Sequence, residues 1–121
     1  MREIKFRAWD GLRMTCNGIR FNNTTWSIEN VNGEPLMQYT GLLDKNGKEI
    51  YEGDVVKADA WLNGKNEGKY NFTVVWDAPK FVMRLDGGLI QNLGFLCEII
   101  GNIYENPELI YPKTDSIPNR I

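Results

Sequence analysis

Apolar and polar residues alternate along most of this chain with a period of two, which predicts strands rather than helices. In the opening segment Ile4, Phe6 and Ala8 fall on one face of an extended strand, and Lys5, Arg7 and Trp9 fall on the other. Asp10-Gly11 marks a tight turn, with Leu12 to Cys16 as the returning strand. From Gly18 to Val31 the apolar residues Phe21, Trp26, Ile28 and Val31 are loosely spaced among Asn and Thr, which predicts short, irregular strands. Asn32-Gly33-Glu34-Pro35 is a turn. Lys45-Asn46-Gly47-Lys48 carries Asn-Gly, whose two residues both tolerate positive φ, and so predicts a hairpin. After Ile50 and Tyr51, Glu52-Gly53-Asp54 turns the chain again.

From Asp54 onward the punctuation becomes regular. Strands are predicted over Asp54 to Trp61, Lys69 to Asp77, Lys80 to Asp86 and Cys97 to Tyr104. A loop joins the first two from Asn63-Gly64 to Gly68, Ala78-Pro79 turns into the third, and Gly87-Gly88 closes it. Leu89 to Leu96 suits a helical turn or a short strand. Shared parity places Phe72, Val74, Trp76, Phe81, Met83, Leu85, Ile99 and Ile103 in one core. Four or five short strands with turns every ~8–12 residues fit a small barrel, whose closure removes the hazard of open strand edges. The predicted fold is therefore mostly β: an N-terminal β-hairpin with irregular strands, then a small SH3-like barrel formed by the C-terminal half. One domain is expected over residues 1–110, with an N-terminal β lobe at 1–53 and a small β-barrel lobe at 54–106. Pro107, Pro112 and Pro118, with few apolar anchors after Tyr111, make 111–121 a mobile tail.

Composition narrows the chemistry. A chain of 121 residues buries roughly 65–70% of its unfolded surface, so it needs no disulfide or metal to fold. The formal net charge is −2, which argues against non-specific binding to nucleic acid. Residues 1–50 carry seven Lys or Arg against six Asp or Glu, and the rest carry seven against ten, so only the front half offers a cationic surface. Cys16 and Cys97 lie in no C-x-x-C motif and read as free thiols in a reducing compartment, with Cys97 a small core residue. The start of the chain has charges in place of an apolar leader, and no apolar run approaches the ~18 residues of a membrane helix, so a cytoplasmic protein is expected.

Histidine is absent, which removes the commonest general base and most zinc sites. Asp44-Lys45-Asn46-Gly47 fails as a calcium loop, because its Gly is fourth rather than sixth and Val55 stands at the twelfth position. No phosphate-binding Gly-rich loop is present. The expectation is a protein with no catalytic residue, no cofactor and no metal.

Three stretches carry a family resemblance. They are Met1-Arg2-Glu3-Ile4-Lys5-Phe6-Arg7-Ala8-Trp9-Asp10, then Met37-Gln38-Tyr39-Thr40-Gly41-Leu42 continuing through Asp44 to Val56, then Ile100-Gly101-Asn102-Ile103-Tyr104-Glu105-Asn106-Pro107-Glu108-Leu109. In this order they resemble the YopX family of phage and prophage proteins. The resemblance implies a phage or prophage origin, a β-rich fold and a single YopX-like domain over 1–110. It supplies no catalytic residue, and it leaves residues 15–35 and 57–95 uncovered.

The leading functional expectation is a non-enzymatic interaction module in the bacterial host cytoplasm, with a protein partner or self-association. The alternative is a small β-barrel that binds single-stranded nucleic acid through Lys5, Arg7 and Trp9, since basic side chains beside an exposed ring suit stacked bases. Lys80 and Arg84 also share a strand face. A hydrolase built on Glu52 and Asp54 ranks last, because turn carboxylates usually cap backbone amides. The three motifs are read as architecture. The competing reading has them converge on a cleft lined by Tyr39, Tyr51, Tyr104 and Glu105.

Overall fold

The computed structural model describes residues 4–85, 88–94 and 96–110, so the tail expected at 111–121 and the strand-closing Gly87 lie outside the described residues. In chain order the strands are β1 (Phe6–Trp9), β2 (Met14–Thr15), β3 (Ile19–Asn22), β4 (Ser27–Asn30), β5 (Leu36–Leu43), β6 (Glu49–Tyr51), β7 (Asp54–Leu62), β8 (Lys65–Asp77), β9 (Lys80–Leu85), β10 (Ile90–Asn92) and β11 (Glu98–Asn102). A 3-10 turn at Pro107–Leu109 follows. The fold is almost entirely β, and no helix among the described residues is long and apolar enough to cross a membrane.

The described residues form three antiparallel sheets. A four-stranded sheet runs β2-β1-β5-β6, a five-stranded sheet runs β10-β9-β8-β7-β11, and β3 with β4 forms a separate two-stranded ribbon. The five-stranded sheet curls into a half-barrel, consistent with the small-barrel expectation. Its curl is visible in one side chain. β10 and β7 are separated by two strands, yet Gln91 on β10 donates to the Asp59 carbonyl at 3.0 Å and accepts the Trp61 N–H. That amide satisfies the β7 backbone where a bulge between Asp59 and Trp61 interrupts its ladder. Of the four edge strands of the two larger sheets, β2, β6 and β10 are only two or three residues long and β11 five, which limits edge-to-edge pairing with other chains.

The concave side of the half-barrel holds the main core: Ile50, Val56, Ala58, Ala60, Phe72, Val74, Phe81, Met83, Leu93 and Cys97. Leu85 and Ile99 pack against it half-buried. Trp76 departs from the expected core and is 50% exposed. It occupies the rung next to the Ala78-Pro79 turn, opposite Phe81, close to the end of the sheet. It rests edge-on against the Phe81 ring at 5.0 Å. Ile103 also lies outside the main cluster, half-buried. The pairing of β11 with β7 shifts between Ile99 and Gly101, so the alternation read through Cys97, Ile99, Gly101 and Ile103 breaks at a bulge.

One turn reading differs from expectation. Asn63-Gly64 is a two-residue hairpin with both φ positive (55° and 77°), so β7 and β8 zip up to it and no loop extends to Gly68. The expected β5–β6 hairpin turns at Lys45-Asn46-Gly47, with positive φ at Gly47 (83°) alone of the two central residues, and the Asp44 carboxylate accepts the N–H groups of Asn46 and Lys48. Residues 18–31, expected to be irregular, form the regular β3–β4 ribbon, in register from Ile19↔Asn30 to Asn22↔Ser27. Leu89 to Leu96 holds the short strand β10, and the return after Asp10-Gly11 shrinks to β2.

The four-stranded sheet joins the half-barrel at Gly53. Its N–H donates to the Val74 carbonyl and its carbonyl accepts the Ile103 N–H, both at 2.9 Å. Its φ is +89°, and a Cβ there would stand 2.8 Å from the Met37 sulfur, so glycine is needed for conformation and for space.

Candidate functional site

Alternation along β1 sends Lys5, Arg7 and Trp9 to the same side, and the β1–β5–β6 pairing brings tyrosines beside them. Tyr39 and Tyr51 are direct cross-strand partners with ring centroids 5.5 Å apart. The Lys5 ammonium lies 5.2 Å above the Tyr39 ring, and the Arg7 guanidinium lies 4.6 Å above the Tyr51 ring. Lys5 also pairs with Glu49, and Arg7 bonds the Asp54 carboxylate at 2.6 Å. Trp9 stacks on Tyr104 with centroids 5.8 Å apart and planes 13° from parallel. Glu105 is exposed and accepts the Asn102 side-chain amide. The same asparagine caps the turn by accepting the N–H groups of Tyr104 and Glu105.

These seven residues thus form two neighbouring groups in which the cations are already engaged by carboxylates and rings. Tyr39 is buried, and Arg7, Trp9, Tyr51 and Tyr104 are half-buried. Asp54 uses both oxygens, one for Arg7 and one for the Tyr51 N–H. Burial raises its pKa, outweighing the Arg7 charge and these hydrogen bonds, because the site removes more hydration than its partners return. Burial and the Glu49 charge likewise raise the Tyr51 phenol, against the pull of Lys5 and Arg7. The Arg7 Nε is buried without a partner among the described residues.

Sequence reasoning passed over a more exposed constellation. On the β3–β4 ribbon, Phe21 pairs across from Ile28, and Trp26 packs edge-on to Phe21 with centroids 5.8 Å apart. Trp26 is 79% exposed and Phe21 51%. Trp26 has φ of +57°, a conformation uncommon for a bulky residue. The opposite face of the ribbon is held by polar contacts. Arg20 pairs with Glu29 at 2.8 Å, and Asn22 donates to the same carboxylate at 2.9 Å. Hydrogen bonds from Asn22 and Arg20 keep the Glu29 pKa low. The Asn22 oxygen accepts the N–H groups of Thr24 and Thr25, fixing the turn that presents Trp26. The signal in the sequence was the run Asn22-Asn23-Thr24-Thr25 between Ile19/Phe21 and Ile28, a turn flanked by paired apolar positions.

Two clefts flank the junction of the sheets. One, of about 510 Å³, lies between Thr40–Leu42 and the β8–β9 turn, where Lys80 donates to Asn92. The other, of about 380 Å³, has a floor of Met37, Val74, Ile103 and Ile110, with Tyr104, Glu52 and Arg84 among its walls. Tyr39, Tyr51 and Glu105 line neither. No group of three His, Cys, Asp or Glu suited to a metal occurs among the described residues.

A family model described as YopX protein matches residues 12–111, which takes in the central and closing motifs but not the opening one. The crystal structure of protein EF1440 from Enterococcus faecalis is similar in fold, with a TM-score of 0.62 over 91% of this chain and 99% of that one, at 24% identity. No curated protein sequence matches the chain.

Proposed function

The chain belongs to the YopX protein family, and on that premise we propose that it is a phage- or prophage-encoded, non-enzymatic interaction module that docks a protein partner in the cytoplasm of the bacterial host. The observation that carries this reading is the Phe21–Trp26 pair, held outward on a ribbon whose other face is cross-braced. A two-stranded ribbon is marginal by itself, and here the apolar residues at its tip are exposed. Rigid aromatic side chains that lose little entropy on burial are the usual anchors of protein interfaces. Unpaired Cys16 and Cys97 support a reducing compartment.

The test compares the intact protein with Phe21→Ala/Trp26→Ala in capture from host lysate and in light scattering. The expected result is a specific partner, or a concentration-dependent oligomer, that the double variant loses while its thermal unfolding stays unchanged. Equal capture by both proteins, or retention of single-stranded oligonucleotide at low salt by Lys5 and Arg7, would overturn it.

A further inference from the structure

We infer that the 380 Å³ cleft between the sheets is a binding site for a small zwitterion with an apolar body, either a free amino acid with a large side chain or a short peptide. Its volume falls in the range of small-molecule sites, roughly 300–1,000 Å³. Its floor is apolar, with Met37 and Val74 buried and Ile103 beside them. Its walls carry one cation and one anion from different sheets: Arg84 on β9 and Glu52, which follows β6. Among the described residues neither side chain belongs to an ion pair, whereas Arg7 and Asp54, which also reach from one sheet to the other, form one. Glu52 has one long hydrogen bond, from the Gln38 N–H at 3.4 Å. Arg84 offers a planar fork matched to a carboxylate, and Glu52 accepts an ammonium.

The cleft is preformed. Gly53 is bonded on one side to Val74 and on the other to Ile103, so the floor cannot spread without breaking backbone hydrogen bonds. The stacked Trp9 fixes the Tyr104 ring that stands at one wall. A ligand therefore meets little ordering cost on entry. The larger cleft lacks this pairing, since its lysine is already bonded to Asn92 and no carboxylate lines it.

The site is independent of the aromatic ribbon, and the experiment separates the two. Isotope-labelled full-length protein is titrated with L-leucine and with leucyl-leucine, alongside N-acetyl-leucine and leucinamide, each of which lacks one charge. Amide resonances of Gly53, Thr73 and Ile103 report occupancy. One of the two zwitterions is expected to saturate these shifts at millimolar concentration, which also tells amino acid from peptide. The singly charged analogues, and the variants Arg84→Gln and Glu52→Gln, are expected to bind at least about tenfold more weakly. Spectra unchanged away from the cleft show that the variants fold, and Trp26→Ala should bind as the parent does. Absence of shifts at these three amides with both zwitterions would overturn the assignment, as would N-acetyl-leucine or leucinamide binding as tightly as leucine.

Discussion

The Asp44 carboxylate accepts the backbone N–H of Ile99 at 2.9 Å, across 55 residues of chain. Its other oxygen holds the N–H groups of Asn46 and Lys48, and the adjacent Lys45 N–H donates to the Cys97 carbonyl. One buried side chain therefore shapes the β5–β6 turn and fastens it to the start of β11. Burial is the largest single influence on its pKa and raises it. The three N–H groups of Ile99, Lys48 and Asn46, with the Lys48 charge, together outweigh burial and hold the carboxyl below its usual 3.8.

Replacing Asp44 by Ala should destabilise the protein by about 2–4 kcal/mol, since three N–H groups lose their acceptor at once. Urea unfolding checks the loss. The folded-state pKa is depressed, so this stabilisation is fully present above the unfolded value and disappears as pH falls through the native value. Below that range the gap in stability between Asp44→Ala and the parent should narrow.

Asp54 should show the opposite sign. Its native pKa is raised, so the folded state holds the proton more tightly. Its contribution is fully present below 3.8 and is lost as pH rises through the native value. Asp54→Asn should remove that fall from the curve of stability against pH. Arg7→Met leaves the carboxylate buried without its cation, and is expected to cost about 3–5 kcal/mol at neutral pH. Part of that loss should return on acidification. A loss unchanged by acid would mean that Arg7 contributes through packing on Tyr51 alone.

Two glycines with similar φ separate conformation from space. Gly64→Ala places its Cβ in open space, whereas Gly53→Ala drives one into the Met37 side chain. The first should cost about 1 kcal/mol and the second about 2 kcal/mol more. Equal midpoints in parallel denaturation curves would show that Met37 yields.

The thiols should differ sharply in reactivity. Burial first, then the Asp44 and Asp54 charges, push the Cys97 thiol up to about 11, whereas Cys16 is exposed. Iodoacetamide at mildly alkaline pH should label Cys16 alone in the native protein and both after unfolding, as read by mass spectrometry. Native labelling of Cys97 would mean that the β11 end of the half-barrel opens.

Local pattern determined a good deal of this protein. Period-two alternation through Phe72, Val74, Phe81 and Met83 was enough to set the strand faces and the core, because a pleated strand fixes side-chain direction within the strand itself. Alternation also put Lys5, Arg7 and Trp9 on one side, and the absence of His by itself restricts the chemistry. What alternation cannot carry is register across a bulge or the presence of a second layer. Ile103 left the main core because one extra residue slipped in beside Gly101, and Trp76, on the rung next to the β8–β9 turn, stayed half exposed. The partners of Lys5, Arg7 and Asp44 lie 44, 47 and 55 residues away, so only the folded chain decided that these charges are internal ties and not a free surface. The exposed Phe21–Trp26 pair, and the placing of Glu52 and Arg84 at one cleft outside any ion pair among the described residues, were fixed at that same level, since exposure is a property of what fails to cover a residue.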